Sequence, residues 1–489
     1  MSSTATTGYC RVTVVAPDSR IDVALPDDIA VADVYPEILR LSGQTQPPGT
    51  PTGYHLLRRD GTVLDGARTL AAQRVLDGEL LSLRPFADSL PPAVFDDVSD
   101  AVATAVTRDR LLWREDMLRT AGLVGGVLLL VMMGFVLWYA DPERHSMHGL
   151  PGIVAGVTAV LLTALAGVRA RVYDDRASAV ALGLGAMPHL LIAGSGVIAA
   201  DPGEGPGRLQ FLLGCTCVLV ASVLLVALTP DGDAPFVATA FAATVGVLAV
   251  FCAILADASA TDAAAVCAPV AIGALAFLPG LSTRVARLPI GYASPYSAAS
   301  IDFDADPDDP PSPDPVDAER IAAQARRGHE LLLGLVGGCS VVVIGAAAVL
   351  GFSDARWAQV LALAAGAAML LRARLFRYTA QVACVLVAGI AAIGVLLLGL
   401  ALHTPEHLRQ ELLSGDRTGL DVRTVWIAGA VAAGTALIVA LGLIIPAKGL
   451  TPFWGRVSDL LEGALLLSLV PLCLAVLDVY NEARSMTSG

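Results

Sequence analysis

Hydrophobic and polar positions change rhythm once along this chain. Between residues 10 and 85 apolar residues alternate or recur at short spacing; beyond residue 120 they gather into long uninterrupted runs. Arg11-Val-Thr-Val-Val15 largely alternates with period two, Pro17-Asp-Ser-Arg20 reads as a turn, and Ile21-Asp-Val-Ala-Leu25 alternates again. Two such runs around a turn predict a hairpin. From Ala30 to Leu41 the apolar positions Val31, Val34, Ile38 and Leu41 keep helical spacing, with Gly43 placed to end the helix. Tyr54–Arg58 reads as a strand, Asp60-Gly61 as a turn, and Thr62–Leu64 as another short strand. Behind the Asp77-Gly78 turn, Glu79–Arg84 reads as the last one. The predicted order is ββαβββ, a β-grasp (ubiquitin-like) α+β domain over residues 10–85, behind a polar lead of residues 1–9.

Residues 86–119 connect this domain to the apolar part. Within them Val94, Val98, Ala101, Val102, Ala105 and Val106 recur at three- and four-residue steps, with Asp96, Asp97, Asp100, Arg108, Arg110 and Arg114 on or beside the other faces. That pattern predicts an amphipathic helical stalk.

Crossing about 30 Å of hydrocarbon takes about 20 apolar residues. Eleven runs qualify: 120–140, 149–168, 177–200, 209–229, 236–256, 260–281, 331–352, 357–371, 378–402, 424–446 and 457–480. The sixth is interrupted by Asp262, Pro269 and Pro279, and the eighth is short. The expectation is a polytopic all-α membrane domain of about 11 helices, with helices 1–6 in residues 120–281 and helices 7–11 in residues 331–480. Residues 481–489 form a short tail, and an odd number of crossings puts the two termini on opposite sides. Composition agrees: 55% of residues are hydrophobic and 16% charged, against about 45–50% and about 25% in soluble domains. No apolar run occurs in the first hundred or so residues, so no signal peptide is expected.

Charge sets the orientation. With a cytoplasmic N-terminus, seventeen basic residues in the stalk and loops fall on the cytoplasmic side and seven on the other. Positive loops stay inside, so the C-terminus is expected to be extracytoplasmic. The net charge of -13 argues against ordinary nucleic-acid binding, which depends on neutralising phosphates.

Candidate chemistry is sparse. Residues 282–330 form an acidic, proline-rich cytoplasmic loop. Between Asp302 and Glu319 it holds eight acids, five prolines and no base, a composition for an extended segment. Asp302-x-Asp304-x-Asp306 suggests a calcium loop, but Pro307 and Pro313 stand where an EF-hand needs Gly and Glu. An Asp-x-Asp glycosyltransferase site would need a folded domain around it. Neither His145/His148 nor His403/His407 has an adjacent Cys or an evident third zinc ligand, so ordinary loop residues are the expectation. His189, beside Pro188, is the ionisable group nearest the middle of a span; it is either a functional group or an interhelical hydrogen-bonding one. Of the eight cysteines all but Cys10 lie in apolar runs, as small packing residues do. No phosphate-binding loop, nucleophile elbow or His-Glu-x-x-His occurs. No residue is assigned a catalytic, cofactor-binding or metal-binding role, and no enzyme activity is expected. Small residues four apart recur at Gly122/Gly126, Gly152/Gly156, Gly334/Gly338 and Ala430/Gly434, spacing that permits close helix approach.

This arrangement resembles EccD, a membrane component of the actinobacterial type VII (ESX) secretion system. The resemblance is carried by the order of domain, stalk and eleven spans. Local pieces add to it: Arg11-Val-Thr-Val-Val-Ala-Pro17, Asp22-Val-Ala-Leu-Pro26, the run Thr69–Leu83, and Pro91-Pro-Ala-Val-Phe-Asp-Asp97. It implies a structural subunit that forms the membrane wall of a secretion protomer, pairs with a second EccD copy and encloses membrane lipids. It also implies docking of the FtsK/SpoIIIE-type ATPase EccC, with EccB and EccE as further partners and no nucleic acid. The alternative is a secondary transporter with a regulatory β-grasp domain, which usually shows paired repeats and broken helices at midplane.

Overall fold

A computed structural model describes residues 8–17, 19–44, 53–85, 115–201, 205–229, 233–287, 318–448 and 451–487. The chain forms two units, residues 1–113 and 114–489.

In the first unit β1 (Tyr9–Val15) and β2 (Arg20–Pro26) form the predicted antiparallel hairpin, in register from Tyr9↔Pro26 to Val15↔Arg20. Helix α1 (Val31–Leu41) follows, then β3 (Tyr54–Leu57) and β4 (Glu79–Pro85). The sheet order is β2-β1-β4-β3, with β4 parallel to β1 and antiparallel to β3. Alternation along β1 sends Val12 and Val14 inward, and the i, i+3, i+7 face of α1 sends Val31, Val34 and Ile38 to meet them. Leu25, Leu56, Leu81 and Leu83 close the core, while Val23 is only half-buried. Gly43, at φ +69°, ends α1: its amide reaches Arg40 O and the Gln44 amide reaches Leu39 O. This paired bonding requires a left-handed residue, which favours glycine. The strand expected at Thr62–Leu64 is reduced to one isolated bridge, Leu57↔Val63. The tight turn at Asp60-Gly61 brings only one residue pair back beside β3 before the chain leaves the sheet.

The second unit is helical. Its helices are α2 (Glu115–Trp138), α3 (Leu150–Arg171), α4 (Arg176–Ser195), α5 (Arg208–Leu228), α6 (Ala234–Leu255), α7 (Ala260–Ala274), α8 (Leu278–Val285), α9 (Ala318–Gly351), α10 (Arg356–Arg372), α11 (Thr379–Leu402), α12 (Glu406–Leu413), α13 (Thr418–Lys448), α14 (Pro452–Val476) and α15 (Val479–Thr487). Ten are long and apolar enough to cross a membrane; α7 and α8 qualify only as a pair bent by 65°. The eighth span, short in the sequence, is extended to Leu375 by a 3-10 turn after α10. Of the stalk only its C-terminal end is described, as the first turns of α2; the rest, and the acidic stretch 302–317, lie outside the described residues.

Packing divides the spans differently from the long loop. Helix α7 contributes Ala265, Ala268 and Ile272 to a core built mainly by α9, α10 and α11, together with Leu469 of α14. The sixth crossing therefore belongs with the later helices. Two of the small-residue pairs mediate this packing. Gly334 and Gly338 of α9 lie where a Cβ would strike Val237 and Phe241 of α6, and Gly152 and Gly156 let α3 approach Gly196 and Ala193. Gly122, Gly126 and Gly434 have open space around them instead. They sit on α2 and α13, whose apolar windows hold almost no fully buried residue and none, respectively.

Candidate functional site

The polar chemistry of the helical unit is concentrated at the helix ends. Asp175 caps α4, accepting from the Ser178 amide at 3.2 Å and the Ser178 hydroxyl at 2.7 Å. Arg169 donates to it at 2.7 Å, and Arg119 pairs with its other oxygen. The carboxylate is 13% exposed. The Ser178 hydroxyl first, then the Ser178 amide and the Arg119 charge, outweigh desolvation and hold its pKa at about 2. Tyr173 lies under the Arg169 guanidinium, 5.2 Å from its centre. Nearby in the alternation of loops, Arg176 pairs with Glu330 at 3.4 Å and Arg327 with Asp233 at 2.6 Å. Arg372 and Arg374 face Glu462 and Asp459 at 3.7 and 2.7 Å.

These pairs constrain the number of crossings. Asp233 precedes α6 and Arg327 lies in the first turns of α9. Groups 2.6 Å apart are on one side of a membrane, so the chain between them crosses an even number of times. Helix α6 is one crossing; the bent pair α7–α8 must be the other. The Arg176–Glu330 contact imposes the same condition. With that pair counted, the described helices supply up to eleven crossings, and all six bridges above share one face. Arg208–Asp257 at 2.8 Å and His403–Asp354 at 3.2 Å share the opposite face.

The histidines singled out in the sequence fall in separate places. His145 stacks on Trp138 with ring centres 4.1 Å apart, whereas Nδ1 of His148 meets Gly196 O at 2.9 Å. His403 faces Asp354, and the side chain of His407 lies outside the description. His189 is fully buried; its Nδ1 lies 2.9 Å from Gly185 O and its Nε2 has no partner. Beside it Pro188 and Gly185 are locked against Gly134 and Leu130 of α2. Among the described residues no group of three His, Cys, Asp or Glu side chains could hold a metal. The long-range ion pairs were not foreseen from sequence. Their partners lie 49 to 154 residues apart, and only a basic residue at a helix end marked one half of each.

The architecture is that of a multi-pass membrane protein carrying a ubiquitin-like domain. A family model described as EccD-like transmembrane domain matches residues 118–486, and one described as WXG100 protein secretion system (Wss), protein YukD, matches residues 9–83. The chain belongs to the EccD-like transmembrane domain family, whose members are membrane components of type VII secretion systems. It is 28% identical over 505 aligned positions to the ESX-4 secretion system protein eccD4 of Mycobacterium tuberculosis, in strains CDC 1551 / Oshkosh and ATCC 25618 / H37Rv. The alignment covers 99% of this chain and 98% of that protein. Among solved structures, a chain of protomer 1 of the ESX-3 core complex shares the fold. Its TM-score is 0.56 at 20% identity, covering 97% of this chain and 100% of that one.

Proposed function

We propose that this chain is the scaffold that forms the membrane wall of a type VII secretion protomer, pairing with a second copy of itself and docking the FtsK/SpoIIIE-type ATPase EccC from the cytoplasm. EccB and EccE complete the unit, and the ATPase supplies the energy. The observation that carries this reading is the bareness of α13. It is about 46 Å long at 1.5 Å per residue, yet no residue of its apolar window is fully buried by the rest of the chain. A crossing tied to its own chain chiefly near its start, where Arg423 donates to Leu400 O and His403 O, and lined with small residues such as Ala430 and Gly434, suits a wall completed by other chains and lipid. The seventeen-to-seven distribution of basic residues supports a cytoplasmic ubiquitin-like domain and an extracytoplasmic C-terminus.

Deletion of residues 1–85, tested beside His189→Ala in a host that exports through the complex, separates this reading from a transporter. The scaffold reading expects the truncated chain to reach the membrane at normal abundance and lose export, and His189→Ala to keep it. Export by the truncated chain together with loss in His189→Ala, at equal abundance, would favour ion coupling through the span instead.

A further inference from the structure

The bend inside the sixth crossing leaves a short helix that packs on one side only, with the rest of its surface uncovered by this chain. Ala260–Phe277 rises about 27 Å at 1.5 Å per residue, close to the hydrocarbon thickness of about 30 Å. The path then changes. The amides of Ala276 and Phe277 bond three residues back, to Gly273 and Ala274. Pro279, without an amide hydrogen and with a ring that excludes a regular turn, starts α8 at 65° to α7. Eight residues at that angle add only about 5 Å along the axis of α7. Helix α8 therefore runs along the membrane boundary at the face shared by the Arg327–Asp233 bridge.

Its surface has three sectors. Leu278, Ser282 and Ala286 are buried, on the side turned to α9. Phe277, Leu281 and Val285, also four apart, are 77%, 47% and 58% exposed. Arg284 and Arg287 are exposed on the remaining side and make no ion pair among the described residues. An exposed phenylalanine–leucine–valine row at the depth where a crossing ends, flanked by two free guanidinium groups, matches an anionic bilayer surface. Acyl chains meet the apolar row, and phosphates meet the arginines.

We infer that α8 is an interfacial helix that binds anionic phospholipid, with Phe277, Leu281 and Val285 in the acyl region and Arg284 and Arg287 on the headgroup phosphates. This inference needs only the crossing count, not the secretion role. The test uses the full chain. A photoreactive benzoylphenylalanine at position 277 is activated in native membranes, and mass spectrometry identifies the adduct. Separately, the chain is placed in nanodiscs of mixed phosphatidylcholine and phosphatidylglycerol, and the lipid retained after mild detergent extraction is counted. The 277 probe is expected to label lipid. The retained phosphatidylglycerol preference is expected to fall by up to about 25-fold in Arg284→Gln/Arg287→Gln, at about fivefold per basic residue near an anionic surface. Arg284→Lys/Arg287→Lys is expected to keep it, because point charge suffices. Adducts of the 277 probe to protein rather than lipid overturn the inference. So does an unchanged lipid preference in the glutamine variant, or its loss in the lysine variant.

Discussion

Removal of Arg327 leaves a buried carboxylate without its counter-charge. The Asp233 side chain is fully buried; Oδ2 accepts from Arg327 Nη1 at 2.6 Å, and Oδ1 has no partner at all. Breaking a buried ion pair by deleting one partner costs about 3–5 kcal/mol. Arg327 is 41% exposed, so water already screens part of the attraction, and the lower end applies. For Arg327→Gln we expect about 3 kcal/mol, or about 100-fold in the folding equilibrium. Asp233→Asn keeps the shape and removes the buried charge, so it should cost nearer about 1 kcal/mol. The signature is the cycle: Asp233→Asn/Arg327→Gln should be more stable than Arg327→Gln alone, because the second change removes the charge that the first stranded. Unfolding of the full chain in mixed micelles along an SDS titration, followed by tryptophan fluorescence, measures all four proteins. An Arg327→Gln chain as stable as the wild type, or a double variant no better than Arg327→Gln, would refute the reasoning. It would also remove the contact that makes α7–α8 a crossing.

Three further outcomes follow from other parts of the molecule. Ile38 is fully buried under the sheet, so Ile38→Asp, an unpaired charge in that core, should unfold the ubiquitin-like unit; circular dichroism of residues 1–85 showing an unchanged melt would contradict this. Asp175 has a depressed pKa of about 2, so its contribution is complete above about pH 4 and is lost as pH falls toward 2. Ser178→Ala should lower the melting temperature in detergent between pH 5 and 7 and move the acid loss to higher pH, and an unchanged profile counts against the Asp175 anchor. A reporter fused after Gly489 should read as extracytoplasmic and one inserted within 301–319 as cytoplasmic; a cytoplasmic C-terminus would mean an even number of crossings.

How far each feature was legible in the sequence follows from its physical range. The spans were legible because bilayer thickness sets a length that apolar runs either meet or miss. The proline at position 279 marked the interruption of the sixth, though not its 65° angle. The ubiquitin-like core was legible because β1, β2 and α1 are local patterns: Val12, Val14, Leu25, Val31, Val34 and Ile38, on their alternating or helical faces, are buried, while Val23 is half-buried and Leu41, at the end of α1, is exposed. The short strand at Thr62–Leu64 was not, because one bridge and three extended residues look alike without their partner. The face of ion pairs was not legible either. Nothing local to Asp233 or Glu330 names an arginine that meets it only after the helices pack. Likewise, the bareness of α13 is invisible in a run as apolar as its packed neighbours.

The central claim is that this chain acts as the scaffold of a larger export complex. Gentle extraction of the tagged full chain from membranes of a host that exports through it, followed by native electrophoresis and mass spectrometry of the main band, tests that claim most directly. The account predicts one very large assembly holding more than one copy of this chain together with an FtsK/SpoIIIE-type ATPase, and loss of the ATPase from that band when residues 1–85 are deleted. A chain that runs alone or as a simple dimer, from membranes still exporting at the normal rate, would contradict it.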